Sequence, residues 1–261
     1  MTPGPTVMSG PWDVAGPEDA PGIVFVHGTR LTRSMWRTQM TDLADAYRVV
    51  AVDLPGHGTR ADETFSLDAA ADVVAAAIRD AAGGRAVVVG LSLGGYVGMH
   101  LAARDPGLVR GLVLSGATAE PVGWRSVPYQ ALALVLERVD ARGLDALNRW
   151  FFRTRFPAAI ADPIIAAGFW YRGGAAALRT IIGERFAPRL AAFDGPTLIV
   201  NGAYDVVFRL SAGTFARAAR RPRRVRLGGA IHLANLDRPV GFGAAIRSFM
   251  GSLDGIDGPL D

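Results

Sequence analysis

Short apolar runs alternate with longer mixed stretches along the first 119 residues. Ile23-Val24-Phe25-Val26 closes on His27-Gly28, Val49-Val50-Ala51-Val52 on Asp53, Val87-Val88-Val89 on Gly90, and Leu112-Val113-Leu114 on Ser115-Gly116. Runs this short, apolar throughout and rich in β-branched residues predict parallel strands buried on both faces. Stretches with helical spacing lie between them: Ser34–Ala46, Leu67–Ala82 ended by Gly83-Gly84, and Leu93–Arg104 stopped before Pro106. The alternation returns late, with Leu198-Ile199-Val200 before Asn201-Gly202, a weak strand Val225-Arg226-Leu227, and a last helix Val240–Met250 begun by Pro239. Such a pattern predicts an α/β fold, a mostly parallel sheet between helices. The segment before Ile23, around Thr6–Ser9, is expected to add one or two antiparallel edge strands.

Residues 120–193 break the pattern. They hold no convincing strand and read as four helices, about Ser126–Val139, Leu144–Phe156, Pro163–Tyr171 and Ala175–Arg185. A helical block between two core strands is expected to act as a cap, or lid, over a site. The chain thus divides into a core, 1–119 and 194–261, and a cap, 120–193. Trp124, Tyr129, Trp150 and Trp170 of the cap are candidates to contact an apolar or aromatic substrate. Most aromatics in so thin a layer must also serve as its own core. Arg125, Arg149, Arg153 and Arg172 offer carboxylate binding but read individually as solvated.

A chain of 261 residues, half of them apolar, suits one domain. It has no cysteine, which excludes disulfides, zinc–thiolate sites and thiol catalysis. All 28 basic residues are arginine, so Schiff-base and lysine-base mechanisms are excluded as well. The net charge is +4, but the arginines are spread along the chain. The one dense run, Arg220-Arg221-Pro222-Arg223-Arg224-Val225-Arg226, reads as a solvated loop leading into a strand. No nucleic-acid partner is expected. Met1-Thr2-Pro3-Gly4-Pro5 lacks the basic start and apolar stretch of a secretory signal, and no membrane-length apolar run is present. The expectation is a cytoplasmic protein, monomer or homodimer, without membrane contact and with a small-molecule substrate as its partner.

The chemistry centres on Gly90-Leu91-Ser92-Leu93-Gly94-Gly95, which follows one predicted strand and opens a predicted helix. G-x-S-x-G between strand and helix holds a serine on a tight, strained turn, with small neighbours that let the two elements approach. The helix N-terminus favours the negative charge that develops when the serine attacks a carbonyl. The plain alternative is a serine capping a helix in a glycine-rich turn. A dinucleotide site is not indicated, because G-x-G-x-x-G is absent.

A serine nucleophile needs a base titrating near neutrality. Of His27, His57, His100 and His232, the last lies after the final weak strand and before the last helix, in Gly228-Gly229-Ala230-Ile231-His232. That places it at the same sheet edge as Ser92. His27 and His57 sit beside glycines in turns and are expected to orient backbone, and His100 to pack or lie at the surface. Asp205, in Asn201-Gly202-Ala203-Tyr204-Asp205, closes the turn after Leu198–Val200 and is the expected orienter of the base. Asp237 is expected to cap the final helix, and Asp53 to fix the turn Pro55-Gly56-His57-Gly58. An oxyanion hole needs two backbone donors, expected from Leu93 and from Thr29 in His27-Gly28-Thr29. The side chain of Thr29 or of Arg30 is a candidate to reach substrate, and Arg30 reads equally as a surface charge.

With these pieces in order, the chain resembles the α/β-hydrolase superfamily over nearly its full length. The matching segments are Val26-His27-Gly28-Thr29, Val52-Asp53-Leu54-Pro55-Gly56-His57-Gly58, the turn at Ser92, Asn201 to Asp205, and Gly229-Ala230-Ile231-His232. The resemblance implies a triad of Ser92, Asp205 and His232, in the superfamily's order, with Thr29 and Leu93 as the oxyanion hole. Ser34-Met35-Trp36-Arg37-Thr38-Gln39-Met40 and the four-helix cap are similar to the 3-oxoadipate enol-lactonase and small carboxylesterase branch. The implied activity is ester or lactone hydrolysis through an acyl-enzyme, with no metal or organic cofactor. Thioesterase, C–C hydrolase or lyase chemistry on the same triad, and non-catalytic ligand binding, are the alternatives. A serine at this turn argues against dehalogenases and epoxide hydrolases, whose resemblance implies aspartate there.

Overall fold

The computed structural model describes residues 10–253. Seven strands form one sheet in the order β1-β3-β2-β4-β5-β6-β7. They are β1 (Trp12–Ala15), β2 (Gly22–Val26), β3 (Arg48–Val52), β4 (Ala86–Leu91), β5 (Val109–Ser115), β6 (Pro196–Gly202) and β7 (Arg221–Leu227). Only β1 is antiparallel, pairing Val14 with Val50 of β3. All other pairs are parallel, with Val24 beside both Val50 and Val88. The edge strand thus lies at Trp12–Ala15, whereas the expected position around Thr6–Ser9 falls outside the described residues.

Every residue of β2 and β4 is buried, as a parallel strand covered on both faces requires. The first helices are α1 (Arg37–Leu43), α2 (Leu67–Ala81) and α3 (Leu93–Arg104). Ser66 caps α2 by accepting the Ala69 N–H at 3.0 Å. Gly84 closes its other end by donating to the Ile78 carbonyl at 2.9 Å.

Four helices follow β5: α4 (Val127–Arg138), α5 (Ala141–Arg155), α6 (Ala158–Ala167) and α7 (Tyr171–Ile181). α4 packs on α7 and α5 on α6. The base of this insert is pinned where the chain leaves and returns. The Glu120 carboxylate accepts the N–H groups of Phe186 and Ala187 at 2.9 and 2.7 Å. α8 (Ala187–Ala191) packs on α3 and on α9 (Val206–Ala218), so it belongs to the layer beside the sheet. α10 (Ala234–Asp237) and α11 (Pro239–Gly251) end the described chain, and α11 packs on α1. No helix of the described residues is long and apolar enough to cross a membrane.

Two local expectations are corrected, and one helix is added. The arginine run is not a loop: Arg221 to Leu227 is the edge strand β7, with Arg221, Arg223, Arg224 and Arg226 exposed. Charge on an open edge discourages pairing with a second chain. Pro163 does not begin the third helix of the insert. α6 starts after Pro157 and carries Pro163 inside, with Ala161, Ile164 and Ile165 buried. α9 was not anticipated, because Val206-Val207 and Gly213 weaken its helical signal and only Ala212 and Phe215 are buried.

Candidate active site

β4 runs directly into α3, with Ser92 between them at φ 52° and ψ −113°. A left-handed φ on a non-glycine residue costs about 1–3 kcal/mol and persists only where its surroundings enforce it. Here they do. The Ser92 N–H donates to the Ser115 carbonyl at 2.7 Å, and the Ser92 carbonyl accepts from Gly95 at 2.9 Å. A Cβ on Gly90 would collide with the backbone of Gly94 and Gly95, and one on Gly94 with the Val26 carbonyl. The small residues therefore let β2, β4 and α3 converge on the serine. Ser92 heads α3, yet its side chain makes no capping hydrogen bond. The hydroxyl is not spent on holding the helix.

Asp205 follows β6 and starts α9. Its Oδ2 lies 2.9 Å from His232 Nδ1. The loop carrying His232 is tied to the end of β6: Ala203 N–H donates to Leu227 and Tyr204 N–H to Ala230, both at 2.9 Å. Phe208 stacks on the imidazole, ring centres 5.0 Å apart. Behind the pair lies a buried polar set that the sequence did not single out. Asn201 Oδ1 accepts the Gly116 N–H at 3.1 Å, its Nδ2 donates to Thr118 Oγ1 at 3.2 Å, and Thr118 Oγ1 donates to the Phe208 carbonyl at 2.6 Å. These bonds lock the ends of β5 and β6 to the first turn of α9. Of these, only Asn201, at the head of Asn201-Gly202-Ala203-Tyr204-Asp205, carries a signal in sequence.

Ser92, Asp205 and His232 border one cavity of about 380 Å³. Thr29 and Arg30 border it from the turn after β2, and Tyr129 from α4. The turn lies against the serine, since a Cβ on Gly28 would sit 3.7 Å from Ser92 Cβ. Leu93 heads α3 at the same point, buried. Phe151, Phe152 and Leu178 of the insert complete an apolar wall. The Tyr129 hydroxyl pairs with Tyr96 Oη at 2.7 Å, and Tyr96 donates onward to the Ala119 carbonyl at 2.7 Å. Burial, foremost, pushes the Tyr129 phenol up to about 12, so it faces the cavity as a neutral hydroxyl at physiological pH.

The three tryptophans expected to meet substrate do not border the cavity. Trp124 is 80% and Trp150 63% exposed. On α5 the inward face carries Asn148 and Phe152, and Trp150 falls between them on the outer side. Trp170 is half-buried and structural: its N–H donates to the Arg30 carbonyl at 2.9 Å and its indole to the Ala167 carbonyl at 3.3 Å.

The remaining acids and histidines serve backbone or surface. His27 accepts the Leu54 N–H on Nε2 at 2.9 Å. His57 Nδ1 lies 3.0 Å from the Pro55 carbonyl. Burial lowers both histidines, His57 to about 3, so both are neutral. His100 pairs with Asp68 on the surface at 2.8 Å. Asp53 accepts the N–H groups of Arg33 and Thr59 at 2.8 and 3.0 Å, fixing the turn at Gly58. Asp237 does not cap the final helix. Its buried carboxylate accepts the Ile231 N–H at 2.8 Å and the Arg155 guanidinium at 2.6 Å, tying the loop of His232 to the last turn of α5. Among the described residues no three His, Asp or Glu side chains gather as a metal site.

A sheet of this topology with a serine on its strand-to-helix turn defines a class. The sequence profile described as "Alpha/beta hydrolase family" matches residues 23–245, and the chain belongs to that family. Among its relatives, 3-oxoadipate enol-lactonase 1 of Acinetobacter baylyi is 28% identical over 253 residues, 92% of either chain. A pimeloyl-[acyl-carrier protein] methyl ester esterase of Neisseria meningitidis is 31% identical over 247 residues, 90% of this chain and 95% of the relative. The crystal structure of the enol-lactonase from Burkholderia xenovorans LB400 superposes with a TM-score of 0.77 at 24% identity, over 92% of this chain and 95% of that one. The names of the two relatives are consistent with an ester-hydrolysing enzyme, and the superposition shows the shared fold.

Proposed function

We propose that the protein hydrolyses a carboxylic ester or lactone of a small, largely apolar substrate through an acyl-enzyme on Ser92. One observation carries the reading. A strained, uncapped serine shares a cavity with a histidine whose far nitrogen is held by a buried carboxylate.

In this reading the insert is a cap whose Phe151, Phe152 and Leu178 hold the apolar part of the substrate. His232 takes the Ser92 hydroxyl proton as Oγ attacks the carbonyl carbon, and Asp205 stabilises the resulting imidazolium. The N–H groups of Thr29 and Leu93 receive the oxyanion. As the intermediate collapses, His232 returns the proton to the leaving alkoxide. It then deprotonates a water that attacks the acyl-enzyme, and passes that proton to Ser92 Oγ as the acyl–oxygen bond breaks, which releases the acid and regenerates Ser92.

The test is rapid mixing with 4-nitrophenyl butanoate. One equivalent of nitrophenolate per protein released in a burst, lost in Ser92→Ala, supports the acyl-enzyme. Equal turnover by Ser92→Ala would overturn it.

A further inference from the structure

Arg30 borders the cavity two residues after the glycine that lies against Ser92. Its backbone is left-handed, φ 59°. From the insert side, the Trp170 N–H holds its carbonyl, and a Cβ on Gly174 would come within 3.1 Å of its nitrogen. The side chain is set just as firmly. One Nη donates to Asn148 Oδ1 at 3.2 Å. Asn148 has no freedom to turn, because its amide N–H groups go to the Leu144 carbonyl at 2.8 Å and to Tyr171 Oη at 3.1 Å. It therefore presents its oxygen to the guanidinium.

That neutral oxygen is the acceptor Arg30 has. Its Nε is buried with no hydrogen-bond partner, and it forms no ion pair among the described residues. Burial, foremost, holds it below the ordinary guanidinium value, and the Tyr171 phenol only partly offsets this. A guanidinium beside an apolar wall without a carboxylate is costly. Its planar fork of donors matches one carboxylate well.

We propose that Arg30 is a specificity residue, and that the ester or lactone this site takes carries a carboxylate that pairs with it. The acyl or alcohol portion lies along Phe151 and Phe152, with its anionic end on Arg30. Asn148 acts through Arg30 as a positioning residue. The inference rests on the ester-hydrolase reading, and extends it from an apolar substrate to an anionic one.

The test compares chain-matched 4-nitrophenyl esters: hemiesters of succinic, glutaric and adipic acid against butanoate, pentanoate and hexanoate. The readout is the ratio of kcat/KM for acid over neutral ester, which cancels any general loss of folded enzyme. The wild type should favour the acid at a preferred chain length. Arg30→Gln should reduce that ratio by about 10- to 100-fold, the range for a hydrogen bond to a charged group, and Arg30→Lys should retain part of it. Generic attraction to a cationic protein would instead be independent of length and vanish in salt. That outcome, or a ratio unchanged in Arg30→Gln, would overturn the inference while leaving the hydrolase reading intact. Should Arg30→Gln not fold, Arg30→Lys and the wild-type length series decide. Calorimetry of glutarate on Ser92→Ala, with and without Arg30→Gln, decides independently of turnover. Saturable binding weakened at least about tenfold by loss of Arg30 supports the proposal, and binding that is absent or unaffected contradicts it.

Discussion

Asp205 Oδ2 lies 2.9 Å from His232 Nδ1, across the ends of two different chain segments. β6 and β7 are adjacent in the sheet, so the loops after them meet. The carboxylate is buried while the imidazole is partly open to the cavity. A carboxylate there accepts a hydrogen bond from Nδ1–H and leaves Nε2 free to act as base.

Asp205→Asn should therefore leave the fold intact and cut kcat by about 10⁴-fold, because an amide can fix the wrong tautomer. Steady-state kinetics on a short aryl ester, with melting temperature as the fold control, measures this. A loss below tenfold would mean that Asp205 does not orient the base.

Gly94→Ala should fail earlier, at the level of folding. Its Cβ would collide with the Val26 carbonyl, which is β-strand backbone and has no room to move. A destabilisation of about 3 kcal/mol or more is expected, at the high end for point substitutions. Urea melts measure it.

His57 sets an acid limit on stability. It is buried and neutral, with its pKa lowered to about 3 by burial above all and by His27 next. The unfolded chain binds the proton near pH 6.5. Its contribution is therefore fully present above that pH and is lost as pH falls toward 3, with a ceiling of about 4–5 kcal/mol. His57→Gln should flatten the decline in melting temperature between pH 6.5 and 4. Parallel curves for the two proteins would show that His57 does not contribute.

Asp237 links α5 to the loop of His232. Removing its buried acceptor in Asp237→Ala orphans the Ile231 N–H, one residue before His232. A loss of about 1–3 kcal/mol in stability is expected, with kcat falling about tenfold if even part of that loosening reaches His232. Arg155 is about one-third exposed, so Arg155→Ala should change kcat by less than about threefold. Equal effects from the two variants would place the role in the ion pair and not in the loop.

How much of this was legible in the sequence differs by residue. The turn at Ser92 was readable because its chemistry demands small residues at fixed spacing, and Gly90 and Gly94 supply them. Asp205 and His232 were readable as a pair because each sits in the loop that follows a strand-like run. The arginines of β7 hid the first four residues of the strand predicted at Val225–Leu227, since an edge strand facing solvent has no apolar run to show. Trp124 and Trp150 were misjudged as substrate contacts because composition does not say which face of a helix turns inward. Asp237 reads in sequence as a helix cap because Arg155 meets it only in the folded chain, and Asn148 and Thr118 carry no signal for the same reason.

The central claim is that Ser92 is an activated nucleophile. Treating the folded protein with a fluorophosphonate and measuring its intact mass tests it directly. One adduct per chain, mapped to Ser92 and absent from Ser92→Ala, is the predicted result. A folded protein that takes up no adduct, or takes it at another residue, would contradict it.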